Sequence, residues 1–217
     1  MRKALLVLGI LFIYAATAHA GLNYGVKMLS LSQMNTSAGY YEATVPYPIN
    51  QTLGCYFGFD VTPKIVILGS IDLNRFQNKY TESAEGDVYE SELSVTQFIP
   101  NLGVKFYFKP RASGDFSPYI YGGFFKGFAS SNYEYTDGSA EYLKYREEII
   151  KEINSPFGFI PAFGVEYYFS DNFGLGGEMG WRFSFAKADF DWASGEKVEY
   201  KYNAISHYFG LTVNFHF

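Results

Sequence analysis

Residues 174–186 read GLGGEMGWRFSFA, and they split cleanly by parity. Leu175, Gly177, Met179, Trp181, Phe183 and Phe185 fall on one face of an extended chain; Gly176, Glu178, Gly180, Arg182, Ser184 and Ala186 fall on the other. A two-residue period of this kind marks a strand with one apolar and one polar side. Large aromatics on one side and opposite charges on the other fit only a few strand architectures. The pattern recurs. Phe157, Phe159, Pro161, Phe163, Val165, Tyr167 and Phe169 oppose Gly158, Ala162, Gly164 and Glu166. Phe98, Leu102, Val104, Phe106 and Phe108 oppose Gln97, Asn101, Gly103 and Lys105. Ile65, Ile67, Ile71 and Leu73 oppose Ser70, Asp72 and Asn74, and Leu53, Cys55, Phe57, Phe59 and Val61 oppose Gly54, Tyr56, Gly58 and Asp60.

Eight such runs are expected, at roughly 22–31, 53–62, 64–75, 95–108, 118–129, 157–169, 174–187 and 202–217. Long connections (32–52, 76–94, 130–156, 188–201) alternate strictly with short ones (62–64, 109–117, 170–172). That rhythm belongs to an up-and-down meander with tight turns at one end and elaborated loops at the other. The run YIYGGFFKGF (119–128) has aromatics on both parities, which predicts a bulge or a partly apolar interior there.

The polar faces hold Lys27, Lys105, Lys126 and Arg182, and also Asp60, Asp72, Glu166 and Glu178. Four charges of each sign need no such balance in open water. In a narrow closed interior they do, because an unpaired charge there is very costly. The charged face is therefore assigned to the lumen and the aromatic face to the outside, where lipid is the only solvent that suits it. A lipocalin-like soluble barrel inverts this arrangement, and a soluble sandwich does not explain a common outward bias in every run. The runs are close to the ~9–11 residues that a tilted strand needs to cross a bilayer.

Location is legible at the start. Arg2 and Lys3 precede an apolar run from Ala4 to Ala16 and then Ala18-His19-Ala20, the form of a secretory signal cut after residue 20. A mature chain 21–217 then has 15 basic and 22 acidic residues, a charge of −7. That balance excludes a nucleic-acid binder relying on phosphate neutralisation. Cys55 is the single cysteine, so no internal disulfide or thiolate cluster is expected.

The segments NLGVKFYF (101–108), FGVEYYFSDNFGLGGEMGWRF (163–183) and YFGLTVNFHF (208–217) resemble the OmpA/OmpX-like outer-membrane β-barrel family across the mature chain. The resemblance implies an all-β, transmembrane, eight-stranded antiparallel up-and-down barrel with short periplasmic turns, long extracellular loops and both termini periplasmic. It also implies that Phe209, Leu211, Val213, Phe215 and Phe217 form a C-terminal insertion signal for the barrel-assembly machinery. The chain departs from the longer OmpA-type members in carrying nothing after the barrel, so a peptidoglycan-binding domain is not expected. Family barrels host unrelated functions, so activity must be argued from residues.

An eight-stranded interior is just wide enough to be filled by side chains, so the eight charges are expected to form a plug and not a pore. His207, next to Ser206, is the candidate for a lipid-modifying enzyme, yet 207–209 reads His-Tyr-Phe and lacks the spacing of barrel deacylases; His216 is placed in the lumen. No H-E-x-x-H, G-x-S-x-G or phosphate-binding motif occurs. The expectation is a monomeric, non-enzymatic outer-membrane protein with no metal or cofactor. Its partners would be outer-membrane lipid and lipopolysaccharide, and a surface protein reached through acidic, tyrosine-rich loops. A narrow channel is the other alternative. EYLKYREEIIKEI (141–153) is expected to form a short amphipathic helix within the third long connection.

Overall fold

The alternation produces staves that each pair with the next around a ring until the last closes on the first. The computed structural model describes residues 21–36, 50–84, 87–135, 140–191 and 197–216. The expected signal segment 1–20, Phe217 and the middle of the first long connection lie outside the described residues. The elements are β1 (Leu22–Thr36), β2 (Asn50–Thr62), β3 (Ile65–Ala84), β4 (Asp87–Tyr107), β5 (Phe116–Lys126), β6 (Phe128–Tyr135), α1 (Ala140–Ile153), β7 (Phe157–Ser170), β8 (Phe173–Asp191) and β9 (Lys197–His216). Every ladder is antiparallel, and β1 pairs with both β2 and β9, from Asn23↔His216 to Thr36↔Ala204. Pairing of β3 with β4 shuts the ring.

β5 and β6 are two halves of one stave, since both pair with β4, which gives a ring of eight. Gly127 separates them, and its amide donates to the Pro156 carbonyl at 2.5 Å instead of continuing the ladder. Below the break β5 pairs with β7, up to Lys126↔Phe157; above it β6 pairs with β4. The upper wall between β6 and β8 is therefore spanned by α1 and not by a strand: Ser131 Oγ donates to the Glu147 carbonyl, and Ile149 and Ile153 pack on Ala188 and Phe190 of β8.

Except in β5, the charged parity faces the lumen and the apolar parity faces out. Phe57, Leu102, Phe124, Phe163 and Leu211 point outward, with Phe124 three-quarters exposed at 75%. Asp72, Lys105, Tyr119, Glu166 and Arg182 point inward and are buried. A continuous apolar belt on a ring without edges is stable only in lipid, so the ring is a transmembrane barrel. Inside, tyrosines lie across glycines of neighbouring strands. A Cβ on Gly164 would come within 2.5 Å of the Tyr119 ring, and one on Gly103 within 2.5 Å of Tyr121. Only glycine admits such close approach.

Two of the expected loops are strands. Residues 76–84 and 87–94 extend β3 and β4, while 188–191 and 197–201 extend β8 and β9. Their sequences lack the outward apolar parity because above the belt the outer face is polar, while apolar residues such as Phe76, Ala188 and Phe190 turn inward onto α1. Cross-strand charge pairs take the place of that parity, as in Lys79–Glu90 at 3.0 Å. The helix expected at 141–153 is present as α1. A closed ring of this kind resists detergent until heated. Unboiled protein is expected to migrate differently from boiled protein in SDS gels, and identical migration would contradict closure.

Candidate functional site

The interior is a stack of hydrogen-bonded layers, named here from the turn end toward the hairpin end. At the turn mouth Arg111 pairs with Asp60 and donates to Asn23 Oδ1 at 3.0 Å. Beside it His216 meets the Tyr168 hydroxyl at 2.9 Å. Arg111 sits in the β4–β5 turn, where Lys109 also pairs with Asp115 at 2.6 Å. That hydrogen bond holds the Asp115 carboxyl below its ordinary range.

One layer up, Lys105 Nζ donates to Glu166 at 2.6 Å, and the Tyr107 hydroxyl donates to the other carboxylate oxygen at 2.7 Å. Tyr168 donates to the same oxygen, and the Lys105 ammonium lies 4.3 Å from the Tyr119 ring centroid. Next comes Glu178, which accepts from Tyr119 at 2.9 Å and Tyr208 at 2.8 Å. Above it Asp72, with no solvent exposure, forms an ion pair with Lys27 at 3.0 Å and accepts from Arg182 at 3.3 Å and from Asn101 at 3.1 Å. β3 and β8 are opposite staves, so the Arg182–Asp72 pair crosses the whole bore. Arg182 also stacks its guanidinium 4.9 Å from the Phe125 ring.

The charges then give way to carbon. Ile99, Phe125, Ile160, Ala162 and Tyr208 form an apolar layer, and Phe76, Val95 and Ile150 form a second one against the buried face of α1. Asn154, just past the helix, is buried and accepts from Gln97 at 2.9 Å, while Gln97 in turn accepts from Asn74 at 2.9 Å. Tyr145 of α1 shares a 2.5 Å hydroxyl contact with Tyr200 of β9; burial, then that contact, push its phenol up. α1 is thus a stopper, seated by its isoleucines in the hairpin mouth. Inside the wall the cavities between the charged layers measure about 10 and 20 Å³, room for about one water each. Larger spaces lie at the ends: about 670 Å³ in the turn mouth and about 270 Å³ between α1 and β8.

Of the eight charges assigned to the lumen, Lys27, Asp72 and Arg182 come together in one cluster and Lys105 with Glu166 in another. Glu178 is held by tyrosines, and Asp60 by Arg111, a residue expected only in a turn. Lys126 is a correction. It is exposed on the outer face, donates to the Ser155 carbonyl at 2.6 Å and lies 5.9 Å from the Phe128 ring. The aromatics on both parities of 119–128 misled the assignment: Tyr119, Tyr121 and Phe125 fill the interior, so the other parity, with Lys126, faces out.

Phe209, Leu211, Val213 and Phe215 form the outward face of β9, and Phe215 stacks on Tyr24 of β1 at 5.2 Å. His207 lies edge-on to Trp181 at 6.0 Å, on the face opposite Ser206. Adjacent strand residues point to opposite sides, so the two cannot form a catalytic pair. The inward tyrosines were not foreseen as functional. Their signal was the recurrence of Tyr at lumen parity (Tyr107, Tyr168, Tyr208) beside glycine-rich neighbours.

No protein-family model matches the chain, and no curated protein matches it. Solved structures do. The solution structure of Escherichia coli outer membrane protein W shares 16% identity over 91% of this chain and 98% of its own, with a TM-score of 0.52. OprG of Pseudomonas aeruginosa shares 14% identity over 90% of this chain and 95% of its own, with a TM-score of 0.48. Neisserial surface protein A shares 13% identity over 91% and 97%, with a TM-score of 0.45. At such identities the likeness is one of fold.

Proposed function

We propose that this chain, an eight-stranded barrel of the OmpA/OmpX-like outer-membrane type, is a non-conducting anchor that resides in the outer membrane as a monomer and works through the surface at its hairpin end. The observation that supports this reading most directly is the double seal. Among the described residues charged layers fill the bore and α1 stoppers one mouth, which supports a barrel closed to solute flow. The turns carry Lys64, Lys109 and Arg111, whereas Glu90, Glu92, Glu134, Asp189 and Glu199 project from the long hairpins. We assign the turn end to the periplasm and the hairpin end to the cell exterior, where lipopolysaccharide and a surface protein partner are within reach. Insertion would proceed through the barrel-assembly machinery with the outward face of β9 as its signal.

Planar bilayers containing the purified, heat-modifiable barrel are expected to show no discrete conductance steps. Regular steps from the unmodified chain would replace the anchor with a narrow channel.

A further inference from the structure

Above the belt the outer faces of β8 and β9 change character in order. The pairs run Phe183↔Ile205, Phe185↔Asn203, Lys187↔Lys201 and Asp189↔Glu199. Two lysines directly opposite each other cost stability unless something anionic lies between or beside them. Glu199 touches both, at 3.2 Å and 2.9 Å, and Asp189 touches Lys187 at 3.0 Å, yet the lysine side chains remain 51% and 74% exposed. The basic rung comes first beyond the apolar belt, at the depth of headgroup phosphates, and the acids stand one dyad further out.

Beside this rung the wall is incomplete. β7 begins at Phe157, opposite Phe185, so the part of β8 above it has α1 as its neighbour in place of a strand. The opening between them is the cleft of about 270 Å³ lined by Lys144, Glu148, Asp189 and Phe190, large enough for one sugar ring. Beneath it on the outer face lie paired phenylalanines, Phe159 stacked on Phe183 at 4.6 Å and Phe157 tilted against Phe185 at 5.7 Å. From the belt toward the cell exterior the aromatic wall, the cationic rung and the polar cleft follow one another, so acyl chains, phosphate and an outer sugar ring would each meet a surface of matching chemistry.

We propose that this face is a binding site for a phosphorylated glycolipid: phosphate on Lys187 and Lys201, sugar in the cleft between α1 and β8, acyl chains on Phe157, Phe183 and Phe185. Lys144 would reach a second anionic group or a sugar hydroxyl, and Glu148 and Asp189 would accept from sugar hydroxyls. The inference rests on the outer-membrane placement proposed above, which gel mobility and bilayer silence test on their own.

The test uses the full barrel in phosphatidylcholine nanodiscs doped with a bisphosphorylated glucosamine-disaccharide lipid, with retained lipid counted by native mass spectrometry. Retention above the doping ratio is expected, falling roughly tenfold in Lys187→Glu/Lys201→Glu, since each lysine at an anionic surface contributes on that order. Lys187→Gln/Lys201→Gln should fall less, and Lys64→Glu at the turn end should not change. Gel mobility establishes that each variant is folded. Equal retention of phosphatidylglycerol would overturn the sugar cleft, and displacement by millimolar inorganic phosphate would overturn the lipid in favour of a free-phosphate site. Unaltered retention in both lysine variants would overturn the site altogether.

Discussion

Asp72→Ala is expected to remove about 3–5 kcal/mol of stability, because it strands two buried cations at once. The carboxylate has no solvent exposure and takes Lys27, Arg182 and Asn101 within 3.3 Å. The guanidinium lies too deep to be hydrated in place of Asp72, and the Lys27 side chain is only 13% exposed. The measurement is the urea midpoint of folded barrel in micelles, read from the heat-modifiable gel band. An exposed pair gives the scale. Lys79→Ala breaks the Lys79–Glu90 contact above the belt, where solvent screening leaves little to lose. Replacing the whole cluster, with Lys27→Met, Asp72→Leu and Arg182→Met together, should recover much of the loss, since a packed apolar trio avoids the desolvation penalty. A midpoint for Asp72→Ala no lower than that of Lys79→Ala would mean that the cluster does not hold the bore.

The sequence made the wall easy to read and the contents harder. Parity placed Asp72, Lys105, Glu166, Glu178 and Arg182 inside because each sits among glycine or small polar residues opposite a clean aromatic face. It failed at Lys126, where Tyr119, Tyr121 and Phe125 made the interior as aromatic as the exterior. The signal there lay in volume and not in polarity: Gly103 and Gly123 on either side of Tyr121 mark where a ring must lie inside. Pairing partners were not legible. Arg182 reaches Asp72 across the bore, and a distance between opposite staves depends on strand tilt and register, which no single strand encodes. The extended hairpins were hidden for another reason. Strands that leave the belt lose their outward apolar face, and their cross-strand charges, such as Lys187 with Glu199, become visible only once register is known. α1 was legible as an amphipathic helix, but its seat was not, because its apolar face turns into the mouth of its own barrel.

That seat makes the seal redundant, and redundancy gives the second large prediction. Ile149, Ile150 and Ile153 are buried in the mouth against Phe76, Val95, Ala188 and Phe190. Each such side chain contributes on the order of 1.5–3 kcal/mol when fully buried, so carboxylates in their place expel the helix. Ile149→Asp/Ile150→Asp/Ile153→Asp is nevertheless expected to stay silent in planar bilayers, because Arg182 and Asp72 still bridge the bore below. Removing that bridge alone, with Lys27→Ser, Asp72→Ser and Arg182→Ser, should also stay silent, because the helix and the layer that Ile150 forms with Phe76 and Val95 remain. Only the six-fold combination should turn silence into discrete steps. Conductance from the helix variant alone would make α1 the sole barrier and reduce the charged layers to wall support. Conductance from the serine variant alone would mean that the helix does not seal. Silence from the combination, in barrels shown by gel mobility to be folded, would place the decisive obstruction lower, at Lys105 and Glu166 among their tyrosines.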